Sequence, residues 1–335
     1  LSCDQSVYVC QKPEPIYLAL YVDDGLVFAK HQATIDKLLE CLKSHFKVKV
    51  INSRCFLGIE IHRSREGICL TQKTYTNRLL SRFDMSECKA APTPMQVGHN
   101  LNKEEVLSTA VITDVPYPQA LGGLMYLLIT RPDIAQTLGV LSKYSSCPRQ
   151  AHWVAVKRLF RYLKGTANFG LFYPSNAKPV IECFSDADHA GDQENRKSVT
   201  GTIVFLGGPI SYKSQQQASV AISTCEAEFV AATNSVKDII WLKRFADELG
   251  IKIEGIPQLY CDNQSSIKLI KNAEFHHRTK HIDTRHCFIR DQYNDKVFEV
   301  EYVASEDNKA DIFTKALPAE QFAQLRSAIN CIKVE

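Results

Sequence analysis

The chain has 335 residues, 45% of them hydrophobic and 23% charged, enough for one large domain or two ordinary ones with proper cores. Its apolar runs reach about seven residues, far short of the ~20 a membrane helix needs, and no charged-then-apolar leader opens it, so membrane and secreted classes are not expected. Net charge is only +3, yet residues 1–175 carry 21 basic against 14 acidic side chains and residues 176–335 carry 19 against 23.

Residues 16–21 and 26–29 read as apolar strands joined by the tight turn Val22-Asp23-Asp24-Gly25, with glycine at its far side. Adjacent carboxylates at a buried tip repel and need a divalent cation or hydrogen bonds to neutralise them. Taken alone, the dipeptide is better explained as an ordinary Asp-Gly turn. Further on, no Asp or Glu occurs between Ile134 and Ile181, while Lys143, Arg149, Lys157, Arg158, Arg161, Lys164 and Lys178 all do. Lys157, Arg161 and Lys164 recur at i, i+4, i+7, away from Leu159, Phe160 and Leu163, which puts a basic stripe along one side of an amphipathic helix. Solvated helix faces usually mix signs, so contact with a polyanion is the preferred reading.

The turn-rich stretch from Phe172 to Pro179 is read as the boundary between residues 1–175 and a second domain, residues 176–318, with 319–335 as a C-terminal tail. No tandem repeat is present, and Gln215-Gln216-Gln217 is too short to imply disorder. Residues 180–188 alternate as a strand that places Glu182, Phe184, Asp186 and Asp188 on one side. Residues 201–206 and 210–213 flank a Gly207-Gly208-Pro209 turn as an antiparallel hairpin. A helix opens at Ser223-Thr224-Cys225-Glu226 and stops at Gly250. Ser223 and Glu226 have capping-box spacing, which gives Glu226 a structural task. Glu228 has none, shares a face with Ala231, Ala232 and Ser235, and is the better inward-facing ligand. Residues 258–262 form a short strand ending in Asp262, followed by Asn263, Gln264 and a helical stretch over 265–269. A last strand over 297–303 leads through a loop to a helix beginning near Lys309, with Asp311 in its first turn. Each acid has a plain alternative: strand-end turn formers at Asp186 and Asp262, a solvated helix residue at Glu228, a dipole complement at Asp311.

Tyr21-Val22-Asp23-Asp24 resembles the catalytic palm motif of reverse transcriptases. Phe56-Leu57-Gly58-Ile59-Glu60-Ile61, Leu70-Thr71-Gln72, Pro92-Thr93-Pro94-Met95, Thr130-Arg131-Pro132-Asp133-Ile134 and Arg161-Tyr162-Leu163-Lys164-Gly165-Thr166 are similar, in order and rough spacing, to the Pol polyprotein of copia-type LTR retrotransposons. The resemblance implies the remainder of a palm and a thumb over 1–175, Asp23 and Asp24 as metal ligands, and a template-primer duplex on the basic stripe. A third palm Asp lies upstream of Leu1 in that family, and Asp4 does not match it. This chain alone is therefore not expected to polymerise DNA, and upstream Pol segments are expected partners. Opening on Leu1, the chain is expected to be a piece of something longer.

In the second half, Ser185-Asp186-Ala187-Asp188-His189-Ala190-Gly191-Asp192, Glu226-Ala227-Glu228-Phe229, Cys261-Asp262-Asn263-Gln264-Ser265, Thr279-Lys280-His281-Ile282-Asp283 and Ala310-Asp311-Ile312-Phe313-Thr314-Lys315 resemble the copia-type ribonuclease H. The fold this implies is α/β and α+β: a partial reverse-transcriptase palm and thumb followed by an RNase H-like mixed five-stranded sheet with flanking helices. Carried over residue by residue, Asp186, Glu228, Asp262 and Asp311 match the family's metal-binding carboxylates. Two Mg2+ ions, replaceable by Mn2+, would then cut the RNA of an RNA/DNA hybrid. Asp186 is expected to bridge them, Glu228 and Asp262 to hold the leaving-group side, and Asp311 the ion that carries the attacking water. Gln264, or Asn263 in its place, matches the reader of the hybrid's minor groove. A catalytically inactive nucleic-acid-binding remnant is the rival. Glu301 stands at the distance where many ribonucleases H have a mobile His. For His276, His277, His281 and His286, helix packing or phosphate contact is preferred to zinc, and Trp153 and Trp241 are expected in the core. Twelve cysteines without a C-x-x-C pair argue against a zinc ribbon and for reduced, mostly buried thiols. That fits an intracellular location, cytoplasmic in a virus-like particle or nuclear by the family likeness, with no membrane partner.

Overall fold

The computed structural model of the chain describes residues 1–51, 54–98, 101, 106, 108–191, 195–272 and 283–334, with side chains for all of these except 283–286. Apolar runs cut by turns give an antiparallel meander, β1 (Val7–Cys10), β2 (Ile16–Tyr21) and β3 (Asp24–Ala29), followed by α1 (Gln32–His45). Among the described residues none before Gly67 is buried. Tyr8, Tyr21, Val22, Phe28 and Phe46 are exposed, so this segment has strand propensity but no core of its own.

A second antiparallel sheet comprises β4 (Cys55–Phe56), β5 (Ile59–Arg63), β6 (Gly67–Thr71) and, much later, β7 (Phe169–Pro174). The last strand of the chain, Cys331–Lys333, pairs with the free edge of β7. Between β6 and β7 lie α2 (Lys73–Arg82), α3 (Tyr117–Tyr126), α4 (Ala135–Ser142) and α5 (Gln150–Gly165). Helix α5 buries His152, Ala155, Val156, Leu159, Phe160, Tyr162 and Leu163, an apolar face at helical spacing that leaves its cations outward.

The third sheet is mixed, in the order β10-β9-β8-β11-β12. It consists of β8 (Ile181–Asp188), β9 (Val199–Leu206), β10 (Pro209–Gln216), β11 (Gln258–Cys261) and β12 (Glu299–Tyr302). The first three pair antiparallel, and β11 runs parallel to both β8 and β12. Helix α6 (Thr224–Leu249) crosses the sheet, capped by Ser223 and ended by Gly250 at φ +75. Helices α7 (Gln264–Lys271) and α8 (Asp283–Asn294) follow on the same side, which makes this the RNase H-like arrangement. Alternation along β8 sends Ile181 and Cys183 into the core beneath these helices and Phe184 into the core shared with the first unit.

That shared core changes the picture of separate segments. Phe172, Tyr173 and Pro174 belong to β7, so the break begins at Ser175, after β6 has already captured the preceding stretch by pairing. Residues 319–335, expected as a tail, include α9 (Ala319–Ala328) and β13 (Cys331–Lys333), and β13 joins the first unit's sheet because Cys331 is apolar enough to fill its core. Asp311 sits not on an α-helix but on a 3-10 turn, Lys309–Phe313. Glu226 caps differently from expectation: its Oε2 accepts from the N–H of Ile222 at 2.8 Å, while Ser223 Oγ accepts from the N–H of Glu226 at 3.1 Å. Trp153 packs against the core, but Trp241 is exposed and stacks on Phe245. Of the cysteines, Cys69, Cys183, Cys261 and Cys331 are buried, whereas Cys10, Cys41 and Cys55 are exposed on the coreless opening segment and Cys147 and Cys287 on other surfaces.

One buried ion pair ties these elements together. Arg131, 1% exposed, donates to both oxygens of Asp133 at 3.0 and 2.8 Å and to the Thr166 carbonyl at 2.7 Å. Tyr162 donates to the same carboxylate, and Arg326 on α9 donates to the Tyr162 hydroxyl at 3.1 Å. Burial would raise the Asp133 pKa, but the Arg131 charge outweighs it and holds the carboxyl below its ordinary value. Removing one partner strands the other charge, so Asp133→Ala is expected to lower stability by about 3–5 kcal/mol in urea unfolding. A loss below about 1 kcal/mol, as for an exposed pair, would show that the network does not carry the packing.

Candidate active site

Asp186, near the end of the central strand β8, lies opposite Gly201 on β9. A Cβ at Gly201 would come within 2.7 Å of both the Ala310 carbonyl oxygen and Thr314 Cγ2. The absence of a side chain there lets the 3-10 turn lie directly on the sheet and delivers Asp311 and Thr314 to Asp186. Because β11 is parallel to β8 and pairs Cys261 with Ser185, the next residue, Asp262, emerges beside Asp186. Glu228 stands just past the first turn of α6, where its Oε1 accepts from the Ala187 N–H at 3.1 Å.

Asp186, Glu228 and Asp311 are 4%, 3% and 1% exposed, and Asp262 is half-buried. One oxygen each of Asp186, Asp262 and Asp311 lie within 4.8 Å of one another, and Asp262 forms a second such set with Glu228 and Cys261. All four carboxylates thus belong to one cluster. Burial, then the charges of Asp186 and Asp262, push the Glu228 pKa up to about 9. Burial and Asp186 push Asp311 up to about 7, against the pull of Lys315. The Cys261 thiol is raised by burial to about 12, so it stays protonated and offers a hard cation nothing.

The supporting contacts come from residues that the sequence pattern did not single out. Thr314 donates its hydroxyl to Asp186 Oδ2, Ser305 donates to Asp262 Oδ2 at 2.6 Å, and Lys315 Nζ sits 2.8 Å from Asp311 Oδ2. Buried Asn308 holds the loop, donating to the Ser185 carbonyl at 3.0 Å and accepting from the Ala310 N–H at 3.1 Å. Of these, Thr314 and Lys315 fall in the motif around Asp311 but had no role assigned, and Lys315, four residues after Asp311, has the spacing of an ion-pair partner. The other oxygen of Asp311, Oδ1, is buried without a hydrogen-bond partner. An unsatisfied buried carboxylate oxygen facing other acids fits a hard divalent cation.

The remaining predicted residues lie elsewhere. Asp23 is in the turn after β2 and Asp24 opens β3, both exposed, and among the described residues no other acid joins them at ligand distance. With solvent around them, they need no neutralising ion. Gln264 is exposed at the start of α7, next to Asp262; Asn263 caps that helix, its side chain accepting from the Ser266 N–H at 2.9 Å. On α5, Lys157 and Arg161 are half-buried and Lys164 is exposed. Arg161 Nε donates to the Lys89 carbonyl at 2.8 Å, so part of the basic stripe anchors a neighbouring loop. Asp192, Thr279, Lys280, Ile282, His276, His277 and His281 lie outside the described residues, as does the side chain of His286.

A carboxyl with a raised folded-state pKa keeps its proton after the unfolded chain has lost it, so stability falls as pH rises between the two values. For Glu228 that window runs from about 4.5 to about 9, and for Asp311 from about 3.8 to about 7. In EDTA, the melting temperature is expected to drop between pH 5.5 and 8.5, and Glu228→Gln to reduce that drop by at least about 3 °C, the shift that ~1 kcal/mol produces in a domain of this size. Equal drops in both proteins would show that Glu228 ionises freely.

A family model described as "Reverse transcriptase (RNA-dependent DNA polymerase)" matches residues 3–97. The "Retrovirus-related Pol polyprotein from transposon TNT 1-94" of Nicotiana tabacum is 42% identical over 325 residues, 94% of this chain and 24% of that protein. The corresponding polyprotein from transposon RE2 of Arabidopsis thaliana is 36% identical over 334 residues, 99% of this chain and 23% of that protein. The chain spans less than a quarter of the length of these curated relatives. Among solved structures, LC11-RNase H1 isolated from compost is 14% identical with a TM-score of 0.32, over 44% of this chain and 97% of that one.

Proposed function

The chain belongs to the retrovirus-related Pol polyproteins of copia-type transposons, and on that premise we propose that its second unit, residues 176–318, is a ribonuclease H cutting the RNA strand of RNA/DNA hybrids. The observation that carries this reading is the cluster of Asp186, Asp262 and Asp311, joined to Glu228 through Asp262, with one Asp311 oxygen buried and unpartnered. Acids kept only for structure would be satisfied by donors.

In this reading Asp186, Glu228, Asp262 and Asp311 would hold two Mg2+ ions, or Mn2+ in their place, with Asp186 shared between them, Glu228 and Asp262 serving the leaving-group side and Asp311 the side of the attacking water. Bound there, the ions would supply a water acidified toward neutral pH and charge stabilisation for the departing 3′ oxygen. The chain's own residues do the rest. Thr314 and Ser305 orient Asp186 and Asp262 by donating to them, which leaves each acid's other oxygen for a ligand. Lys315 offsets the negative charge on Asp311. Gln264, exposed beside Asp262, is placed to read the 2′-hydroxyl in the minor groove, a task its neighbour Asn263 shares only through its amide nitrogen. Lys157, Arg161 and Lys164 supply positive charge for a duplex along α5. The location consistent with this activity is intracellular, in cytoplasmic particles or the nucleus; no described helix is long and apolar enough to cross a membrane.

Cleavage of a labelled hybrid in Mg2+ tests the proposal. Asp186→Asn is expected to slow it more than ~100-fold, and Thr314→Val by the ~10–100-fold typical of a group that only orients a ligand, with hybrid affinity kept in both. Binding without cutting by the unmutated chain would favour the inactive remnant.

A second reading is favoured by the uncovered β1–β3 sheet with its exposed Asp23 and Asp24: the first unit is part of a polymerase completed by another chain. Primer extension is then expected only when an upstream Pol fragment is added, and is lost in Asp23→Asn. Extension by this chain alone, or none with the fragment, would reject it.

A further inference from the structure

Beside the carboxylates, a cleft of about 490 Å³ opens between the two units. Its first wall is one face of α4, where Gln136 in the first turn and Lys143 at the C-cap are seven residues apart and so aligned. Gly139 lies between them, and a Cβ there would stand 3.6 Å from Ser214 Oγ across the gap, so the walls approach closely at this point. The second wall is β10, whose Ser214 and Gln216, two apart, face the same side. Asp188, two residues past Asp186, and Lys315, paired with Asp311, also line the cleft and adjoin the metal-binding cluster. The two walls are held in place by Tyr212, whose hydroxyl lies 2.8 and 2.7 Å from the carbonyls of Leu128 and Ile129.

Apolar side chains, among them Met95, Leu101, Val140 and Val199, alternate here with amides, hydroxyls and two ammonium groups, which suits an anionic ligand that also presents apolar surface, as a sugar-phosphate chain does. Lys143, Asp188 and Lys315 all line this cleft, so two cations and one carboxylate are gathered on its wall. The single carboxylate there is outnumbered. An open cleft that adjoins the proposed phosphodiester-cutting cluster and carries two cations matches a linear polyanion better than a compact metabolite.

We propose that this cleft holds the sugar-phosphate backbone of the nucleic acid next to the cut, with Lys143 and Lys315 on phosphate oxygens and Gln136 and Gln216 hydrogen-bonding the chain between. The inference rests on the nuclease reading and adds to it that the first unit contributes a binding residue to the second unit's site. Lys143 is exposed and lies outside the carboxylate cluster, so replacing it leaves the fold and the metal ligands intact.

The test uses the full chain and a fluorescent RNA/DNA hybrid. Binding is measured by anisotropy in Ca2+ across a salt series, and cleavage at saturating hybrid in Mg2+. Lys143→Ala is expected to weaken binding about 5-fold and to make the slope of log K against log salt shallower by about 1, as for one lost phosphate contact. Lys143→Arg should restore both, and the saturated cleavage rate should not move. Unchanged affinity and slope in Lys143→Ala would overturn the proposal, as would a fall in saturated rate with binding intact, which would put Lys143 at the cluster instead. If the unmutated chain binds but does not cut, the nuclease reading fails, while the Lys143 effect on binding still decides whether the cleft is a backbone site.

Discussion

Mutual repulsion of carboxylates in a poorly solvated place is the constraint around which this chain is organised. Asp186, Glu228, Asp262 and Asp311 come from four separate stretches of sequence and meet in one cluster, in two ligand-distance sets that share Asp262, three of the acids almost wholly buried. Without a compensating charge, the cluster can exist only by holding protons, which is what the raised Glu228 and Asp311 values express. The fold keeps the acids there with rigid parts: a central strand, a parallel neighbour, a capped helix and a 3-10 turn pressed onto a glycine.

The first unit supports the carboxylate cluster through packing. Its core is continuous with one face of the mixed sheet, through Phe184, Ile203, Phe205 and Phe313. The 3-10 turn that carries Asp311 also carries Ile312 and Phe313 into that core, so the acid's position depends on apolar anchors on either side. The returning strand β13 and the Arg131–Asp133–Tyr162–Arg326 network fasten the end of the chain to the same body. By contrast, the β1–β3 sheet lies outside any core, and its paired aspartates face water. The two candidate metal-binding regions therefore differ physically: one is dry, crowded and incompletely hydrogen-bonded, the other wet.

Local sequence determined a good deal. Alternation from Ile181 to Asp188, the cap at Ser223 and the stop at Gly250 depend on residue types over short distances, and that strand and that helix follow the expected spans to within a residue. The acids near the end of β8 and just past β11 stood out because a strand seldom leads into a carboxylate. The likeness to transposon Pol polyproteins was equally plain, since its motifs are linear.

Tertiary structure decided the rest, because it depends on which surfaces meet. The hydroxyls of Thr314 and Ser305, the buried amide of Asn308 and the open face at Gly201 carry no local signature of a site; each matters only through a partner more than 100 residues away or on a facing element. The return of residues 331–333 to β7, and the cleft that joins Lys143 to Lys315, required the assembled sheet. Strand pairing and side-chain convergence are settled by long-range packing, and a linear pattern of residue types records only the local half of that balance.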